Sequence, residues 1–166
     1  MSVVSIHVPM IVYREEQNFD WRVYVLLSLV LLTCWSIVPF IPVSNTTRTV
    51  LVLASGIVPT FLLLCLLRMT TEVTPTGIVV WFGWIPTYRR AVPIDGVTLV
   101  EVITYRPLRD YGGWGIRYGR DGEHVMSARG DQGVRIHMTD GSRLVIGTQR
   151  PTELAQAIQG AVRPGG

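Results

Sequence analysis

Two uncharged apolar runs occupy the first half of the chain, Val23 to Ile41 and Thr49 to Leu67, joined by the polar link Pro42 to Arg48. An α-helix rises about 1.5 Å per residue and a bilayer's hydrocarbon core is about 30 Å thick, so each run has the length of one span. The pattern therefore predicts a two-helix transmembrane hairpin over 23–67. A secretory signal fits poorly, because the segment before the first run carries Glu15, Glu16 and Asp20 and no small-residue cleavage site follows the run. The apolar residues from Val3 to Tyr13 alternate, and this stretch either lies on a membrane surface or adds a strand to a sheet edge.

From Met69 onward the period changes to two. Ile78, Val80 and Phe82 alternate with Val79 and Trp81, and Val134, Ile136 and Met138 alternate with Arg135, His137 and Thr139. Turn signals at Pro75 to Gly77, Gly83, Asp95-Gly96, Asp121-Gly122, Gly130-Asp131 and Asp140-Gly141 delimit strands near 71–74, 77–83, 87–92, 96–105, 114–118, 124–128, 133–138 and 143–148. The first two of these read either as separate strands or as one bent strand. Asp140-Gly141 fits a two-residue primed hairpin turn. After Arg150-Pro151 the period becomes helical, with Leu154, Ala157, Ile158 and Ala161 on one face and Gly160 and Pro164 as its end. The expected organisation is an N-terminal cytoplasmic segment over 1–22, the hairpin over 23–67, and over 69–163 an α+β domain in which about seven antiparallel strands form a sandwich or barrel capped by the C-terminal helix.

Charge orients the hairpin. All fifteen basic residues are Arg, and Arg14 and Arg22 precede the first run while Arg68, Arg89 and Arg90 follow the second. By the positive-inside rule both termini are expected in the cytoplasm of a multi-pass protein of the cell membrane. The runs hold hydroxyls but no carboxylate, lysine or histidine, which argues against a transporter. Their cysteines, Cys34 and Cys65, sit at depths about 13 Å apart in a helical hairpin, beyond disulfide reach. Eleven Arg against nine acids in the second half argue against nucleic acid as a partner. Scattered His7, His124 and His137 give no metal site, and no phosphate loop, dinucleotide fingerprint or nucleophile elbow occurs. Neither a cofactor nor an enzymatic activity is expected.

The segment with the densest chemistry is Tyr105 to Arg117. It gathers Arg106, Arg109 and Arg117 with Asp110, Tyr111 and Trp114 around Gly112-Gly113. Guanidinium forks and backbone N–H groups there suit a phosphate or carboxylate, with Tyr111 and Trp114 as anchors. The same residues also read as a strand ending at Pro107, a wide turn with positive φ at the glycines, and a core tryptophan. Arg109 and Asp110 then merely neutralise one another or hold the turn.

Four features carry a resemblance: Arg89-Arg90-Ala91-Val92-Pro93-Ile94, the valine-rich strand that follows it through Glu101-Val102, the run Tyr105 to Arg117, and Gly147-Thr148-Gln149-Arg150-Pro151. Together with two apolar runs before the strands, the chain resembles uncharacterised bacterial two-transmembrane-helix proteins that carry a pleckstrin-homology-like (PH-like) domain. The resemblance implies a PH-like fold and a non-enzymatic binding role. Expected partners are the lipid bilayer, a membrane or cytoplasmic protein, and an anionic lipid headgroup. The alternative is a small accessory subunit of a larger membrane complex, assembled through its helices.

Overall fold

The computed structural model describes residues 10–119 and 122–163, with the backbone alone at 34, 39, 57, 58 and 62–66. Among these residues nine strands form two sheets. The first has the order β1 (Tyr13–Asn18), β2 (Arg68–Thr74), β3 (Gly77–Phe82), β4 (Tyr88–Pro93); the second has the order β5 (Val97–Thr104), β8 (Gln132–Met138), β9 (Arg143–Gly147), β7 (His124–Ser127), β6 (Gly115–Tyr118). All pairs are antiparallel except β7 with β9. Consecutive β4 and β5 lie in different sheets, separated by a 3-10 turn at Ile94–Gly96, and the sheets do not close into a barrel. The core between them joins Met69, Val73, Ile78 and Val80 to Met126, Val134, Ile136, Leu144 and Ile146. Helix α4 (Pro151–Val162) seals it with Leu154, Ala155, Ile158 and Ala161.

The strands from 68 to 147 fall close to where period-two alternation places them. Two local details differ. Residues 71–74 and 77–83 are a hairpin and not one bent strand. At Asp140-Gly141 only the glycine has positive φ, because the Asp140 carboxylate accepts from the Ser142 N–H at 2.8 Å and holds its own backbone in the ordinary region; the result is a type I turn closed by a left-handed glycine. Helix α4 also runs through Gly160 to Val162, since a glycine one turn from a helix end weakens the helix without stopping it.

The transmembrane hairpin is corrected. Helix α1 is Trp21–Ile37, about 26 Å long at 1.5 Å per residue, and a 3-10 turn containing Pro39 follows at Val38–Phe40, so the first apolar run is not one continuous helix. Helix α2, Asn45–Leu66, begins in the polar turn Asn45 to Thr49 and has Pro59 inside it. Among the described residues no helix is long and apolar enough to cross a membrane. The expectations that depend on spans fall with it: the two-transmembrane PH-like family, the multi-pass cell-membrane location, and the cytoplasmic placement of both termini, since the positive-inside rule concerns only spanning segments. The expected PH-like sandwich or barrel of about seven antiparallel strands is instead two sheets of four and five strands that do not close, with one parallel pair. The side chains of Cys34 and Cys65 lie outside the described residues.

In place of a separate hairpin, α1 and α2 form a long insertion between two paired strands. β1 and β2 are antiparallel neighbours from Tyr13↔Val73 to Asn18↔Arg68, and the helices leave and return at that last pair. The Phe19 N–H donates to Leu67 O at 3.3 Å, the Tyr24 hydroxyl to the same oxygen at 3.2 Å, and the Asp20 N–H to Ala128 O at 3.2 Å. The helix base is thus bonded to both sheets. Of Val3 to Tyr13, residues 3–9 lie outside the described residues, and the described edge strand, β1, shares only Tyr13 with that stretch.

Candidate functional site

Helix α3 (Pro107–Tyr111) is the middle of the site. Pro107 suits a first turn because it lacks the N–H that would go unpaired there. Asp110 accepts from the Arg106 N–H at 2.8 Å, and Gly112 ends the helix at φ 73°, where its N–H returns to Pro107 O. Asp110 therefore holds the turn, as the structural reading of this segment expects.

The helix lies on the outer face of the second sheet, and a pair of glycines explains why it fits. Gly133 and Gly147 are register partners on β8 and β9. A Cβ on Gly133 would sit 3.1 Å from the Tyr105 ring, and one on Gly147 would sit 2.7 Å from the Tyr105 oxygen. The two bare backbones are the floor of a slot for Tyr105, which packs with Val125 and Val145 and meets the Tyr111 ring edge-on at 5.6 Å between centroids.

Beside this slot opens a cleft of about 570 Å³ lined by Thr104, Tyr105, Arg109, Asp110, Tyr111, Gly119, Glu123 and Arg135. Glu123 is only 6% exposed. One of its oxygens accepts from Arg135 Nε at 2.6 Å and the other from the Tyr111 hydroxyl at 2.8 Å. Burial, and then the Glu123 carboxylate, push the Tyr111 phenol up to about 12, so Tyr111 stays a donor at neutral pH. The hydrogen bond to Glu123 likewise raises Arg135 above the ordinary arginine value. Across α3 lies a second, more apolar hollow of about 360 Å³, lined by Asp20 and Arg22 from the helix base, by Tyr105 to Arg109, and by Trp114, Gly130 and Asp131.

Five of the six residues expected from the sequence thus meet around α3. Arg109 lines both hollows, Asp110 and Tyr111 the first, Arg106 and Trp114 the second. Trp114 is half-buried and donates its indole N–H to Gly130 O at 3.2 Å, bracing the loop. Arg117, exposed on β6, lines neither hollow. Glu123 and Arg135 were not expected, because Arg135 reads as the outward position of an alternating strand and Glu123 as part of a turn. No group of three or more His, Cys, Asp or Glu side chains suited to a metal ion occurs among the described residues.

Compared with protein-family models, curated proteins and solved structures, the chain matches none of them.

Proposed function

We propose that the chain is a non-enzymatic binding protein whose α3 ridge takes an anionic group, a carboxylate or a phosphate, on Arg106 and Arg109. One observation carries this reading: both guanidiniums are exposed on a braced ridge, and three of the four carboxylates that line its two hollows are already engaged, Asp131 being the exception. Asp110 holds the Arg106 N–H, Glu123 holds Arg135 and Tyr111, and Asp20 accepts from the Arg22 N–H at 3.0 Å. Among the described residues neither Arg106 nor Arg109 has an ion-pair partner. Arginine forks held in this way bind planar anions in a bidentate manner.

A second reading, assembly through the helices, is favoured by a different observation. Leu26, Leu29, Leu32, Trp35, Leu53 and Phe61 are all exposed, an apolar surface of the kind that partner helices cover.

Binding of inorganic phosphate and of acetylated hexaglutamate, followed by tryptophan fluorescence, tests the first reading. Replacing Arg106 and Arg109 together by Ala should weaken binding about ten- to hundredfold and leave the melting temperature unchanged. A lowered melting temperature with unchanged affinity per folded molecule would make the ridge a scaffold only.

A further inference from the structure

We propose that the end of the sandwich from which the helices leave docks on an anionic lipid surface at headgroup level, a peripheral contact in which no helix crosses. The proposal rests on the anion-binding ridge for part of its charge, and on a separate loop for its apolar contact.

Strand register puts that loop at this end. Asn18 pairs with Arg68, Met69 with Phe82 and Phe82 with Tyr88, so the β3–β4 turn lies beside the helix base. The Gly83 N–H donates to Arg68 O at 2.7 Å and the Thr87 N–H to Phe82 O at 3.1 Å. A turn pinned at both ends in this way throws its middle outward: Trp84 is 72% and Ile85 79% exposed. The α3 ridge belongs to the same end, because the Asp20 N–H bonds Ala128 O just past β7 and the Tyr105 N–H bonds Asp131 O just before β8.

Charge selects the occupant. The Arg68 guanidinium lies 5.4 Å above the Trp84 ring, and Arg89, the register partner of Trp81, is exposed on the adjoining strand. Glu16 is paired with Arg14 and Arg68, and Glu72 with Arg14 at 3.0 Å, so that network is neutral and Arg89 supplies the uncompensated charge beside the loop. An exposed tryptophan and isoleucine next to arginines match the two layers of a lipid surface, with the indole at the carbonyl level and the guanidinium at the phosphates. An acidic protein would satisfy the arginines, but nothing in it calls for two large apolar side chains raised on a turn tip.

The test uses the full chain and sedimentation with vesicles of phosphatidylcholine, with and without phosphatidylglycerol. Binding is expected to the mixed vesicles and to weaken as salt is raised. Replacing Trp84 and Ile85 together by Ala should cost at least about tenfold in vesicle affinity, and Arg89→Ala roughly fivefold, with melting temperatures unchanged because all three side chains are exposed. Equal sedimentation of the Trp84/Ile85 variant and the unsubstituted protein would overturn the proposal. So would equal binding to neutral vesicles, or a tryptophan blue shift that grows with protein concentration in the absence of lipid, which would make a second copy the occupant. The Arg106/Arg109 variant separates this proposal from the ridge reading. If it loses phosphate and hexaglutamate while the Trp84/Ile85 variant keeps full vesicle binding, the ridge stands and the lipid surface falls.

Discussion

Two buried glutamates, one on β1 and one in the loop just before β7, are satisfied by different chemistry. Glu15 on β1 is held by neutral donors: the hydroxyls of Tyr13 and Thr148 bond one oxygen, and the Gln149 N–H bonds the other at 3.0 Å. These contacts tie the first strand to the junction between β9 and α4, over 130 residues away, where Gln17 also donates to Gly147 O at 2.9 Å and Arg150 lies over the Tyr13 ring. Glu123 instead is held by a cation and a phenol from its own neighbourhood, on the wall of an open cleft. The first arrangement closes the fold. The second orders side chains that face a cavity.

The largest effect should come from Glu15→Ala. It strands two buried hydroxyls and a backbone N–H, each costing about 1 to 3 kcal/mol when left unpaired. The Tyr13 and Thr148 oxygens, 3.5 Å apart, can partly satisfy one another, so a net loss of about 3 kcal/mol and a fall in melting temperature of roughly 10 °C are expected. Calorimetry of the full chain checks this. An unchanged melting point would mean that the β1 seam does not hold the fold.

Glu123→Gln should cost less, about 1.5 to 3 kcal/mol, because an amide oxygen can still accept from Tyr111 while the charge-assisted bond to Arg135 is lost. It should also release a cation into the cleft and raise affinity for inorganic phosphate by several-fold. Loss of stability without any change in phosphate binding would show that Glu123 does no more than Glu15, and the contrast would collapse. Gly147→Ala tests the slot between the two regions. A methyl there meets the Tyr105 oxygen and the Ser127 Cβ, both at 2.7 Å, and overpacking of this kind costs about 1 to 3 kcal/mol. Ridge binding should fall in the same variant if Tyr105 sets the position of α3.

The contrast also explains what was legible in the sequence. Strands β2 to β9 were legible because the sheets bury one face, so Ile78, Val80, Val134 and Ile136 write a period of two into the chain. β1 was not, since its inward positions are Tyr13, Glu15 and Gln17, and polar side chains satisfied by distant partners leave no hydrophobic period. The grouping of Arg106, Arg109, Asp110, Tyr111 and Trp114 was legible because those residues lie within one short stretch of the chain. The wall beside them was not, because Glu123 and Arg135 meet them only through sheet pairing. The apolar runs misled about architecture: hydropathy registers the length of a run, whereas Pro39 ends the first helix early and the β1–β2 register folds both helices back as an insertion.

The smallest effect concerns His124, the residue after Glu123. Its Nδ1 lies 3.4 Å from Arg90 Nη1, and the Tyr118 ring packs edge-on with centroids 4.2 Å apart. Since a guanidinium only donates, Nδ1 must accept, which makes the folded imidazole neutral with its proton on Nε2. Protonation would turn that acceptor into a donor and set a second positive charge beside the first. Burial, and then Arg90, accordingly lower this histidine below its ordinary 6.5. In the unfolded chain the group takes its proton near 6.5 and in the folded chain only at lower pH, so between those values the unfolded state binds more protons. Stability present above pH 6.5 is therefore lost as the pH falls through that window. The effect should be local: hydrogen exchange should quicken first in β6 and β7, beside the Glu123 wall, while β1 and its neutral seam stay protected. Nuclear magnetic resonance should place the His124 titration below 6.5, and His124→Gln should flatten the fall in melting temperature between pH 7 and pH 5. Acid loosening that begins in β1, or a histidine that titrates above 6.5, would reverse the assignment of which region is held by charge.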